Sequence, residues 1–227
     1  MTSRRLDYVR RTGADAYERA LRALRLTITL DTLARAGARG DAHMPMSARD
    51  AAIADTVDWI LRREDRILLA AHNGHIQRWP ATAAPDTPPF APMGLHLADR
   101  LDRDYLAIGM TTGTGLALNT GPDFLTGTLF TEQEPSQPGS LDALMAATHA
   151  GPFAVDLRQL SPADTATIRT VSRQRSGTFY TDLSPLDAYD LVIHLPHVTA
   201  AEPDTAAIGC SPLDVQEAFS HWEPPAG

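Results

Sequence analysis

The run RILLAA, Arg66 to Ala71, most constrains what this chain can fold into. It is too short for a helix, has no polar alternation, and is bounded by a charged helix end and a glycine-containing turn. Such a run predicts a strand covered on both faces, as in a parallel sheet. From it onward, strand-like and helix-like segments alternate. The helices MGLHLADRLDRD and GSLDALMAATH (the latter capped by Ser140) interleave with the strands YLAIGM, PFAVDLRQL and DAYDLVIHLP. Alternation of this kind predicts an α/β fold, a largely parallel sheet flanked by helices.

Ahead of the run lies a predicted helical hairpin. Leu21, Leu24, Ile28 and Leu33 fall at helical spacing in residues 15–38, and Gly37 and Gly40 end that helix. In the second helix Ser47 is the expected N-cap, and Ala52, Ile53, Val57, Ile60 and Leu61 form one apolar face. The expected organisation is a single α/β domain over 1–203, with the hairpin in 1–64 and the sheet in 65–203. A tail follows over 204–227, carrying a short helix, LDVQEAFSHW. Residues 116–138 are turn-rich, with a hairpin expected around FLTGTLF, and the proline-rich PATAAPDTPPFAP reads as a loop.

A net charge of −8 argues against nucleic acid or an anionic membrane as the main partner. No apolar run reaches transmembrane length and no signal peptide is recognisable, so a cytoplasmic location is expected. All twenty basic residues are arginine, which singles out none of them. One cysteine, Cys210, excludes an intramolecular disulfide framework.

The expected strand ends at LLAAHNGHIQ. In open α/β sheets ligands bind beyond the carboxyl ends of strands, where His72 and His75 lie. Near neutral pH an imidazole can accept a proton or donate to an oxyanion, chemistry that suits hydrolysis. Asn73 could orient either ring, and Gly74 allows a sharp turn or a close approach by ligand. Two other readings stand beside this one: histidines that merely cap a strand and bond loop carbonyls, and a metal site. The pair lacks an HExxH frame and nearby acids at its own end of the strand, so no metal is expected. The turn TTGTG, with Thr111, Thr112, Gly113 and Gly115, has the look of a phosphate cradle. It has neither P-loop lysine nor GxGxxG spacing, so it is expected to shape a pocket wall, and no cofactor is expected. Trp59, Trp79 and Phe90 are candidate apolar contacts for a bulky substrate, although Trp59, on its helix, reads rather as core. His96, His149 and His221 read as structural or exposed; His194 and His197, at the end of the last strand, read as structural, with a place on the pocket wall the alternative.

The ordered series RDAAIADTVDWIL, ILLAAHNGHIQR, MGLHLADRLDRDYLAIGMTTGTG, GSLDALM, FAVDLRQL and FYTDLSPLDAYDLVIHLPHVT resembles the C-terminal half of the erythromycin esterase family. That family also includes proteins assigned to succinoglycan biosynthesis. The likeness is colinear over roughly residues 45–200. It implies ester hydrolysis without a serine nucleophile, on a small-molecule ester or macrolide lactone, and a role in the response to antibiotics. By this likeness His72 is the first candidate active-site residue, and His75 orients water or the developing oxyanion. Arg49, from the family's Arg–Asp pair (Arg49 and Asp50 here), joins Asn73 and Gly74 as candidate substrate contacts; a surface role for Arg49 stays open. The family's Gly-Glu-x-x-His-Gly motif, which bears its general base, has no counterpart here: the chain has neither a Gly-Glu nor a His-Gly dipeptide. The expectation is therefore an N-terminally truncated hydrolase, or a non-catalytic binding module retaining half a pocket. His43, ahead of the Arg49 helix, is either a substitute base or an exposed loop histidine. A sheet lacking its neighbours would leave an open edge and favour self-association.

Overall fold

A computed structural model of the protein describes residues 2–41, 43–83, 87–119, 124 and 128–220. Three helices lead the chain: α1 (Arg5–Thr12), α2 (Ala14–Ala38) and α3 (His43–Leu61). The α2–α3 hairpin matches the sequence expectation, with two corrections. First, α3 starts at His43 rather than Ser47. The Asp41 carboxylate accepts the Met44 N–H at 2.9 Å, and Pro45 is tolerated because first-turn N–H groups have no helical partner. Second, the packed face of α2 is not the expected one. Tyr17 and Ala36 are buried while Leu24 and Ile28 are exposed, because Arg22 turns toward α3 and donates to the Ala52 carbonyl at 2.8 Å and to Thr56.

The main sheet has four strands in the order β2–β1–β6–β3: β2 (Phe130–Glu132), β1 (Ile108–Leu118), β6 (Leu191–Val198) and β3 (Phe153–Asp156). Its centre is parallel, Ile108 opposite Leu191 through Gly115 opposite Val198. Both flanking pairs, β1–β2 and β3–β6, run antiparallel. The α/β class stands, but the sheet is only partly parallel. Helix–strand alternation encodes the spacing of strands, not their direction.

The TTGTG segment is strand rather than turn, for a steric reason. A Cβ on Gly113 would sit 2.4 Å from the Pro196 carbonyl oxygen, and one on Gly115 would sit 1.9 Å from that of Val198. The glycines let β6 approach closely, and Gly115 adopts a positive φ of 108°. The expected hairpin is wider than FLTGTLF, pairing Leu116–Leu118 with Phe130–Glu132; residues 125–127 of that motif lie outside the described residues.

The largest departure is RILLAA. Residues 66–71 belong to no helix and form no ladder among the described residues, and Leu68 is 94% exposed. An apolar run becomes a strand only where a neighbouring backbone edge is open to it. Here the edge of β1 is already occupied at Met110, whose N–H and C=O are both bonded to the Asn73 amide and whose C=O also accepts from Gln174.

Helices α5 (Met93–Leu101), α6 (Leu141–Thr148), α7 (Pro162–Ile168) and α8 (Pro185–Ala188) complete the body, with a separate hairpin of β4 (Arg173–Ser176) and β5 (Phe179–Asp182). The Ser140 hydroxyl caps α6 as expected, accepting from Ala143 N–H at 3.1 Å. One core gathers Leu141, Met145, Leu157, Ile168, Tyr189 and Val192 beneath the sheet; a second joins α3 to α5 through Ala54, Val57, Met93 and Leu97. In the tail, α9 (Thr205–Gly209) precedes the expected short helix α10 (Leu213–Ser220). No described helix is long and apolar enough to cross a membrane.

His194 lies fully buried on β6, its Nδ1 2.9 Å from the Thr111 hydroxyl and its Nε2 without a partner. Burial holds its pKa below the ordinary imidazole value. The folded state therefore binds this proton less readily than the unfolded chain. The associated stability is fully present above about pH 6.5 and is lost as pH falls below it. Replacing His194 with Asn should flatten the dependence of unfolding free energy on pH below about 6.5 by up to about 1.4 kcal/mol per pH unit, measured by urea titration. Gly115→Ala should cost about 2–4 kcal/mol through strain and collision with Val198. Gly177→Ala, with a positive φ but open space around the new Cβ, should cost only about 1–2 kcal/mol in the same assay.

Candidate active site

Three local features assemble the HNGH turn. His72 precedes a single helical turn, α4 (Asn73–Ile76), and caps it by accepting the Gly74 N–H at Nδ1, 3.1 Å away. Asn73 anchors the turn to β1, donating through Nδ2 to the Met110 carbonyl (2.6 Å) and accepting the Met110 N–H at Oδ1 (3.0 Å). Its amide is thereby committed to backbone and orients neither ring, which corrects the role expected of it. Gly94 closes the far side: a Cβ there would lie 2.1 Å from the Ile76 carbonyl oxygen, so α5 abuts α4 only because that residue is glycine. The Tyr105 hydroxyl donates to the same carbonyl, and burial pushes its pKa up to about 12.

His75 is held from behind by Asp50, a fully buried carboxylate on α3. Asp50 Oδ2 lies 2.8 Å from His75 Nδ1 and accepts the Met93 N–H at 2.9 Å. Met93 is the first residue of α5, so the positive end of that helix faces the carboxylate. On the other side of the ring, Arg49 Nη1 lies 3.3 Å from His75 Nε2 and 3.9 Å from Asp50 Oδ1. Arg49 is half exposed and belongs to this constellation, as a neighbour of His75.

The hydrogen bonds set opposite polarities for the two imidazoles. His72 uses Nδ1 as an acceptor, so its neutral form carries the proton on Nε2. Partial withdrawal of the ring from water, then the nearby His75, hold its pKa below the ordinary value and keep it neutral at pH 7. His75 donates from Nδ1 to Asp50, which leaves Nε2 as its acceptor. One ring offers a donor and the other a lone pair.

Both histidines, with Gly74, line a cleft of about 500 Å³ whose further walls include Met46, Phe90 and Phe179. Of the aromatic candidates only Phe90 reaches the cleft. Trp79 packs against the core, and Trp59 sits under the Arg63 guanidinium at 3.8 Å. His194 is core, His96 is half-buried on α5, and His149 and His197 are exposed. His43 begins α3, but its side chain lies outside the described residues, as does all of His221. Among the described residues no three His, Cys, Asp or Glu side chains converge as a metal site.

Sequence reasoning missed two contributors. Asp50 was visible only as half of an Arg–Asp pair, with nothing to separate a buried carboxylate from a helix-surface one. The tip of the β4–β5 hairpin, Ser176 to Phe179, also walls the cleft, and its only signal was the short SGT turn between alternating residues.

Comparison with known proteins places this architecture. An Escherichia coli erythromycin esterase type II is 31% identical over 119 residues, which is 48% of this chain and 27% of that protein. Three solved structures share the fold. A Bacillus cereus protein matches with a TM-score of 0.56 at 17% identity, and a succinoglycan biosynthesis protein with 0.56 at 22%; each match covers 68% of this chain and 39% of the other. A mutant of the erythromycin esterase EreC in its open conformation matches with a TM-score of 0.55 at 22% identity, over 73% of this chain and 41% of that one. The chain thus spans about two fifths of the solved relatives' length and less of the curated one. The family profile for erythromycin esterase matches residues 1–198, and this chain belongs to the erythromycin esterase family.

Proposed function

We propose that this chain supports hydrolysis of a carboxylic ester or lactone in the cleft beside the HNGH turn, with no covalent intermediate. The observation that carries the reading is the opposed polarity of the two imidazoles on one cavity. Water attacks the carbonyl carbon while its proton passes to His75 Nε2, and the Asp50 carboxylate stabilises the imidazolium that forms. The developing oxyanion accepts a hydrogen bond from His72 Nε2–H. Collapse of the tetrahedral intermediate breaks the acyl C–O bond, and the departing alkoxide takes the proton back from His75. Arg49 starts with its N–H directed at the lone pair of His75. It must swing aside for water to bind, and there its charge favours the oxyanion and the carboxylate product. On this reading the general base is His75, where the sequence suggested an orienting role.

Family membership supports the hydrolase class, and a macrolide lactone is the substrate that the names of two relatives suggest. A response to antibiotics would follow from that substrate. A second reading, in which the chain works only when associated, is favoured by the run 66–71, which joins no ladder among the described residues and exposes Leu68. The partner in this reading is a second copy, paired edge to edge through that run.

Erythromycin and an aryl ester, incubated separately with purified protein, should yield ring-opened and cleaved products respectively. His75→Ala should lower kcat by about 10²–10⁴-fold and His72→Ala by about 10²–10³-fold. Asp50→Asn should resemble His75→Ala while His75 keeps its place, a result read from proton–nitrogen correlation spectra. In those spectra the wild type should show His72 protonated on Nε2 and His75 on Nδ1; the reverse assignment would sink the mechanism. Light scattering should find a dimer that Leu68→Glu converts to monomer.

A further inference from the structure

The β4–β5 hairpin joins a fixed base to a tip that forms one wall of the cleft. At the base, Gln174 is 3% exposed, donates to the Met110 carbonyl at 3.0 Å and accepts the Tyr189 hydroxyl at 2.8 Å. The Arg175 N–H donates to the buried Asp142 carboxylate at 2.8 Å, and its guanidinium reaches the Glu134 carbonyl (2.8 Å) and the Ser136 hydroxyl (3.0 Å). Immediately beyond, Ser176 pairs with Phe179 across the two-residue loop Gly177–Thr178, and Gly177 takes the positive φ of 62° that such a tight hairpin requires. The same Met110 carbonyl accepts from Asn73, so one backbone group holds both the histidine turn and the hairpin base. The hairpin base and the histidine turn therefore share one anchor on β1.

The wall has a defined chemistry. Along with the histidines, Met46, Ala81, Phe90 and Phe179 line the cleft with apolar groups. Ala81 and Phe90 are locked by reciprocal backbone bonds of 3.0 and 2.8 Å, which fix that part of the lining. No carboxylate or guanidinium lines this cavity among the described residues. Its 500 Å³ falls within the range of small-molecule sites.

We infer that the β4–β5 tip is the specificity-determining element of this site, with Phe179 selecting esters that carry an uncharged, extended apolar acyl group. The inference rests on the hydrolase reading for the placement of the ester and for its kinetic readout. In this proposal the acyl group of an ester whose carbonyl meets His72 and His75 lies along the wall toward Phe179, and its alkoxy group points to solvent. Acyl groups long enough to cover Phe179 gain apolar burial there; an acetyl group gains none. Thr178, exposed at the tip, controls how far the acyl group extends.

The test compares p-nitrophenyl acetate with p-nitrophenyl octanoate. Wild type should prefer the octanoate in kcat/KM, and Phe179→Ala should lower the octanoate-to-acetate ratio about tenfold. Phe179→Leu should restore most of that ratio, and Thr178→Trp should lower it by obstructing the tip. An unchanged ratio in both Phe179→Ala and Thr178→Trp, each folded by circular dichroism, overturns the inference. Should wild type cleave neither ester, the hydrolase reading fails, and the wall is judged by calorimetry with octanamide and acetamide. Tighter octanamide binding that Phe179→Ala removes upholds the inference; equal binding of the two amides overturns it. If Phe179→Ala does not fold, Thr178→Trp decides by the same measurements.

Discussion

The carboxylate of Asp50 is the point on which the site depends. It is fully buried and holds two donors, His75 Nδ1 and the Met93 N–H, so it ties α3, the HNGH turn and α5 together. Burying an unpaired carboxylate is prohibitive, and these two bonds with the nearby guanidinium of Arg49 compensate for lost hydration. Without a hydrogen-bonding side chain at this position the three elements would lose their common anchor. The ring of His75 would lose its fixed tautomer, and the first turn of α5 would lose the group that faces its positive end. Gly94 then explains why α5 can stand so near: any side chain there would collide with the Ile76 carbonyl.

Helices α2, α3, α5, α6 and α10 were legible in the sequence because apolar spacing and caps are local properties. Ser140 at α6 and the face Ala52–Ile53–Val57–Leu61 on α3 illustrate this. Directions and pairings were not legible. The segment YLAIGM was recognisable as strand, but its continuation through TTGTG depended on where the β6 backbone would pass, a fact written in residues 196 and 198. RILLAA carried every sign of a buried strand, yet the sign concerns side chains, and pairing is decided by a neighbour's free edge.

The site was legible in part. The two histidines and Gly74 line one cleft, but the strand end from which the sequence placed them does not form, since residues 66–71 make no ladder among the described residues. Their separate roles could not be read, because a tautomer is set by partners distant in sequence: residue 50 for one ring, and a backbone N–H two residues on for the other. Arg49 was ambiguous for the same reason, since its closest functional neighbour lies twenty-six positions away. The hairpin wall escaped notice because residues 173–182 are largely polar and carry no catalytic type.

The grip of Asn73 on Met110 has a mechanical consequence. The amide occupies the N–H and C=O that an added strand would need at that point of β1. Extension of the sheet along this edge must stop short of residue 110 or dislodge Asn73, and Asn73 is the first residue of the turn that carries His75. Edge occupancy and histidine position are therefore coupled through a single carboxamide, which acts as a latch between whatever adjoins the sheet and the geometry of the cleft.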